Sequence, residues 1–409
     1  MAAERGWPDK PRVAVEQSAL HRGAETLAPV AGSPAEAKAA EGSPAEARVV
    51  EVPPGEGMAE AGTEDNNDEL NHRCRQMKHT RFFRFVILAV SVLFPAAVAS
   101  SADVKVHIEE WGLPTPASLP HDPAVAPDGS LWYTGQQSNT LGRLDPKTGQ
   151  IKEYPLKTPN SGPHGLAADK AGNIWFTANY RAYIGKLNPR TGEVAEYPMP
   201  EPAARDPHTP VFDQKGILWF TVQAGNFVGR LDPQTGVIRL KSSPTPDSHP
   251  YGIAINAKGV PFFCEFGTNK LAALNPDTME ITEYTLPNGA RPRRLATAQG
   301  DMVYYTDFAR GYLGRLDPNG GKVEERASPG GPGSRPYGIA VTSDGAVWYS
   351  ESGVRPNTIV RFDPDTKAFA RWPIPSGGGT VRNMAATPGG DLYIACSGVN
   401  KVGIVKVER

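Results

Sequence analysis

The chain has 409 residues, of which 39% are hydrophobic and 21% charged, with a formal net charge of −1. That length admits one large domain or two, and the balanced charge leaves no basic footprint, which argues against nucleic acid as a partner. Three cysteines and no CxxC, HExxH or dense His/Cys grouping give no support to a disulfide scaffold or a structural zinc site.

Residues 1–76 are rich in Ala, Glu, Pro and Gly, with the near-duplication GSPAEAKAAEGSPAEAR and the polar run TEDNNDELNHR. Such a low-complexity extension cannot build a core. Next comes MKHTRFFRFVILAVSVLFPAAVASSADV, with a basic start, an apolar run from Phe85 to Ala99 and small residues at Ala97, Ala99 and Ala102. These are the three parts of a secretory signal peptide, assigned to residues 77–102. A signal peptide begins a chain, so Met77 is the expected initiator and residues 1–76 an over-extended start. The alternative is a single-pass anchor with a disordered cytoplasmic tail, for which the apolar run is short. The mature chain from residue 103 is therefore expected to be exported, periplasmic or secreted, with no stable membrane span.

From about residue 104 onward the sequence repeats itself. An aromatic pair recurs at Trp132-Tyr133, Trp175-Phe176, Trp219-Phe220 and Trp348-Tyr349, with Phe262-Phe263, Tyr304-Tyr305 and Tyr393-Ile394 in the same slot, which makes seven copies. A glycine-apolar run and a tight turn follow, as in LGRLDPKTGQ, IGKLNPRTGE and VGRLDPQTGV. The period of roughly forty-odd residues suits a four-stranded propeller blade. In the second copy HGLAAD, NIWFTA, YIGKLN and EVAEYP are short apolar or alternating runs between turn-formers, too short for a periodic helix. The predicted fold is all-β, a seven-bladed β-propeller.

Asp-Pro or Asn-Pro opens each last turn, because proline presets φ, and Gly149, Gly192 and Gly236 take the positive φ that closes it. Met279 and Lys367 stand where that glycine is expected, so those hairpins should be strained or differently closed. The last copy ends at VGIVKVER after its third strand, while the run from Val106 to Pro114 resembles the fourth-strand sequences EVAEYPMP and ITEYTLPN. The first strand is thus expected to complete the last blade, leaving no free sheet edge. Cys264 and Cys396 fall on second strands of non-neighbouring blades and are expected as buried free thiols.

In a propeller the loops entering the inner strands gather at one mouth of the central channel. One residue per copy marks that entrance: His121, His164, His208, Tyr251, Arg293, Tyr337 and Arg382. Histidine can take and return a proton near neutral pH, and Asp206 stands two residues before His208, so His164 and His208 are candidate catalytic groups as well as candidate hydrogen-bonders between blades. For His121 the structural role is preferred. A second ring follows the aromatic pair: Gly135, Ala178, Val222, Glu265, Asp307, Glu351 and Cys396. Its carboxylates either accept hydrogen bonds from the adjacent blade or converge on a hard cation.

Blocks such as GPHGLAADKAGNIWFT, IGKLNPRTGEVAEYPMP and HPYGIAIN make residues 104–408 resemble the streptogramin B lyases. The resemblance implies a seven-bladed propeller that opens a cyclic depsipeptide at its ester by elimination, assisted by magnesium. It also implies a site of two histidines on consecutive blades, two glutamates and a tyrosine. The matching positions here are His164, then Asp206 and His208, then Gln223, then Tyr251, so aspartate and glutamine replace the two glutamates. His208 and His164 would be catalytic and Asp206 and Gln223 would hold magnesium. The family carries its histidine pair on the last two blades, where this chain has Tyr337 and Arg382, so the constellation is rotated around the ring. The likeness therefore carries the fold further than the activity.

Two other functions remain open: a non-catalytic envelope propeller binding a peptide or sugar at Tyr251, Arg293, Tyr337 and Arg382, and a lactonase-like metal hydrolase built on Glu265, Asp307 and Glu351. In the first reading Tyr251, Arg293 and Tyr337 are the substrate-binding residues. A small cyclic peptide or other small molecule is the expected partner and a monomer the expected state.

Overall fold

The computed structural model describes residues 104–408, so the expectations for the low-complexity extension, the signal peptide and the Met77 start lie outside the described residues. Within them the chain forms seven four-stranded antiparallel sheets. The first six are consecutive in sequence, at 120–155, 163–198, 207–242, 250–285, 292–327 and 336–373. The seventh takes three strands from 381–408 and its outermost from Lys105–Gly112. No helix among the described residues is long and apolar enough to cross a membrane.

Each blade shows why the repeat is written as it is. The second strand, Ile174–Ala178 in the second blade, is buried at every position because other blades cover both faces, so apart from Thr177 it is apolar instead of alternating. The outermost strand, Val194–Pro198, is only partly covered and carries Glu196. Where the first aromatic of the pair is tryptophan, it buries its indole and still satisfies the N–H: Trp175 Nε1 donates to Asp169 at 3.0 Å and Trp219 Nε1 to Asp213 at 2.9 Å. The second aromatic lies across the third strand. There a Cβ on Gly185 would fall 2.1 Å from the Phe176 ring and one on Gly142 1.9 Å from Tyr133, so the glycine leaves room for the ring.

In five of the seven blades a hydroxyl ties the blade to the next. Thr177 Oγ1 accepts from Gly165 N at 2.8 Å and donates to the His208 carbonyl of the following blade at 2.7 Å. Thr134, Thr221, Thr306 and Ser350 repeat the bond to the carbonyls of His164, Tyr251, Tyr337 and Val381. Cys264 and Ala395 occupy this slot in the other two blades. Cys264 and Cys396 are buried free thiols, as expected.

Met279 and Lys367 close their turns as glycine does. Met279 N donates to Asn275 O at 2.8 Å and Lys367 N to Asp363 O at 2.9 Å, against 2.8 Å for Gly149. The hairpins are strained, since both residues sit in the left-handed region, with φ of 61° and 64°. Lys367 is exposed, so Lys367→Gly should stabilise the domain by about 1 kcal/mol in denaturant titrations. Met279→Gly should gain less, because Met279 also packs on the fourth-blade core.

The ring closes as the truncated last copy requires. Lys105–Gly112 pairs antiparallel with Lys401–Glu408 in unbroken register from Lys105↔Glu408 to Gly112↔Lys401. Val104, Val106 and Ile108 pack on the seventh-blade core, while Leu113 and Trp111 join Leu131, Tyr133 and Leu144 of the first blade.

Candidate active site

Every inner strand enters the channel through a register shift, at Pro163/Leu166 in the second blade and at the equivalent place in the other six. The entrance residue lies in that bulge, which turns its side chain out of the sheet. His121, His164, His208 and Tyr251 consequently follow one another around the channel, with ring centroids 3.7, 3.9 and 3.9 Å apart in succession and planes tilted by 40°, 50° and 50°. The Tyr251 hydroxyl meets that of Tyr337, and Arg293 lies 3.9 Å over the Tyr337 ring. The predicted neighbours His164 and His208 are thus brought together, and His121 extends the row.

Burial holds all three histidines well below their ordinary pKa, and neighbouring charge adds to it: Arg382, Arg294 and Arg293 at His121, chiefly His121 at His164, and His164 and Arg294 at His208. They are neutral near pH 7. His164 Nδ1 lies 3.3 Å from the His208 carbonyl, which can only accept, so that nitrogen carries the proton and Nε2 is left as an acceptor. His208 Nδ1 is 2.9 Å from Thr209 Oγ1. The two lone pairs of that hydroxyl can take a proton from His208 and one from Arg294, leaving His208 Nε2 able to act as a base.

The next residue along each inner strand was missed by the sequence reading. Gly165, Gly252 and Gly338 fill this slot in three blades, and a Cβ there would strike the adjoining backbone at 2.1, 2.9 and 2.9 Å. The other blades put Asp122, Thr209, Arg294 and Asn383 here. Arg294 crosses the channel, donating to Asp122 at 2.7 Å and Thr209 at 3.2 Å, while Asn383 donates to the other Asp122 oxygen at 3.0 Å and His121 lies 2.9 Å from the first. The departure from a glycine consensus at a fixed repeat position was the available signal. Asp122→Ala should cost about 3–5 kcal/mol in chemical denaturation, because it strands a buried guanidinium, and Arg294→Met added to it should recover most of that loss.

Asp206 sits at the mouth with φ of 66°, accepting from Asn179 Nδ2 and, through its carbonyl, from Gln223 N at 2.9 Å. Burial raises its carboxyl to about 7. Asp206 and Gln223 are therefore neighbours through the backbone. The trio whose ligand atoms all lie within 4.8 Å of one another among the described residues is instead His121, Asp122 and His164. Its carboxylate is already engaged by Arg294.

The acidic ring is held piecemeal. Glu265 accepts from Ser243, and Glu351 from Ser328 at 2.5 Å and Thr358 at 2.6 Å, so both carboxylates take a hydroxyl from the loop after the preceding blade's outer strand, and Glu351 a second from its own blade. Asp307 pairs with Arg310 at 2.6 Å. This is the hydrogen-bonding alternative, and among the described residues no metal-capable cluster contains these three. Burial lifts Glu265 to about 7 from its ordinary 4.5. A raised folded pKa means that its stabilising share is full below pH 4.5 and lost as pH rises through about 7. Glu265→Gln should remove that slope, so that between pH 5 and 8 the wild type loses about 2 kcal/mol more than the variant in denaturant titrations.

Fold and site together define a closed seven-bladed β-propeller whose channel mouth carries a row of neutral histidines on one side and caged arginine on the other. The sequence model of the Virginiamycin B lyase family matches residues 98–264 and 241–409, and the chain belongs to that family. It is 31% identical over 105 residues to a virginiamycin B lyase of Nocardia farcinica, a stretch that is 26% of this chain and 35% of that relative, so the match spans about a third of the relative's length. A solved streptogramin B lyase superimposes with a TM-score of 0.68 at 26% identity, over 74% of this chain and 98% of the other. A catalytically inactive histidine-to-alanine variant of the Staphylococcus aureus virginiamycin B lyase, solved with quinupristin, gives 0.67 at 24% identity over 74% and 99%, a likeness of fold.

Proposed function

We propose that this chain is an exported lyase that opens a cyclic depsipeptide at its ester by elimination. Family membership supports the class, and the observation that carries the site is the pair of neutral imidazoles, His164 and His208, with ring centroids 3.9 Å apart beside Tyr251. In this reading His208 Nε2 takes the proton α to a carbonyl, the β C–O bond breaks, and its electrons leave on the ester oxygen as a carboxylate. His164 orients the substrate or protonates the leaving oxygen, and Tyr251 and Tyr337 line the pocket.

In this reading Asp206 and Gln223, neighbours through the backbone, would hold magnesium, which is content with one or two carboxylates plus water and substrate oxygens and would relieve the burial of the Asp206 carboxylate. Bound there, magnesium supplies positive charge against the negative charge that grows on the carbonyl oxygen. We further propose that the protein acts as a monomer.

The test is incubation of the purified protein with quinupristin, with and without EDTA, followed by mass analysis. A linear product of unchanged mass, lost on chelation, supports the reading. A gain of one water makes the protein a hydrolase, and an untouched substrate makes it a binding propeller.

A further inference from the structure

The mouth is uneven in charge. Three guanidinium groups, Arg293, Arg294 and Arg382, act on Tyr337 and on His121, yet among the described residues only Asp122 pairs with any of them, and it is taken by Arg294. Neither Arg293 nor Arg382 has a carboxylate within 4.0 Å among the described residues. Arg382 spends Nε on Ser397 at 3.1 Å, and Arg293 gives one N–H to the Tyr251 hydroxyl at 3.4 Å. Both are partly exposed, and they rise from the blades on either side of Tyr337.

Arg293 is also held in place. Its guanidinium carbon lies 3.9 Å from the Tyr337 ring centre, 4.3 Å from Phe308, 4.8 Å from Phe266 and 5.1 Å from Tyr251. Four rings fix the cation without neutralising it, since a ring face offers a quadrupole and no countercharge. A guanidinium fork oriented in advance loses little entropy when it binds a planar anion.

We infer that Arg293 and Arg382, astride Tyr337, form a subsite for a carboxylate anion. Planar two-oxygen geometry matches the forks, and Ser397 steadies the second of them. The subsite stands whether or not chemistry follows at the histidines. Where an ester is opened by elimination the product is a carboxylate, so the same subsite would hold it.

Calorimetry on the purified protein with benzoate, its neutral analogue benzamide and inorganic phosphate tests this. Benzoate should bind at least about tenfold more tightly than benzamide, the worth of one charged hydrogen bond, and more tightly than phosphate. Its affinity should fall as salt rises from about 20 mM to about 500 mM. Arg293→Gln and Arg382→Gln, each checked for an unchanged melting profile, should each weaken it about tenfold or more, while Arg190→Gln in an exposed turn should not. Equal binding of benzamide, tighter binding of phosphate, no binding up to about 50 mM, or indifference to both variants overturns the inference. Quinupristin turnover without benzoate binding would sink this subsite and leave the lyase reading, and the reverse result would do the opposite.

Discussion

Removing residues 104–113 should leave a chain that no longer melts cooperatively. Lys105–Gly112 makes eight register pairs with the last strand, and its loss exposes that strand's edge. Apolar burial goes with it: Leu113 is 8% exposed, and Val106, Ile108 and Trp111 pack against two different blades. At about 1.5–3 kcal/mol for the buried Leu113 and a share of that for each of the three half-buried side chains, the apolar loss comes to about 5 kcal/mol, comparable with the whole stability of an ordinary domain. Contacts to the sixth-to-seventh blade loop vanish too, since Glu110 accepts from Ser376 N at 2.8 Å. Thermal unfolding followed by near-ultraviolet circular dichroism checks this, and a synthetic peptide of residues 104–113 added in trans should restore part of the transition. A truncated chain melting at the parent temperature would mean that the ring is held by the other blade contacts alone.

The fold was legible because a repeat states each structural requirement seven times. The aromatic pair, the third-strand glycine under it and the Asp-Pro turn answer to one packing problem, and the missing fourth strand of the last copy pointed to the segment that supplies it. Site geometry was legible only in its first layer. Equivalent positions on adjacent blades must be neighbours, so the contact of His164 and His208 followed from the period. Asp122 and Arg294 are 172 residues apart and touch because Arg294 is long enough to cross the channel, a contact between non-adjacent blades that periodicity does not encode. The acidic ring shows the converse: Glu265, Asp307 and Glu351 share a repeat position, but each found its own donor.

In the lyase reading His208→Ala should lower turnover by about 10²–10⁴-fold, the ordinary contribution of a positioned proton-transfer group. Folding should survive, because the imidazole lines the channel between His164 and Tyr251 and belongs to none of the apolar core clusters itself. His121→Ala should do much less, since His121 is turned onto Asp122 at 2.9 Å. The pH dependence gives an independent check. Burial, His164 and Arg294 hold His208 well below its ordinary 6.5, and a base must be unprotonated to act, so activity should persist as pH falls past 6.5 and fail only lower. Arg294→Met paired with Asp122→Asn removes a positive charge from beside His208 and should move that acid limb upward. An acid limb that stays where it was, or full turnover in His208→Ala with loss in Glu265→Ala, would place the proton transfer elsewhere on the ring.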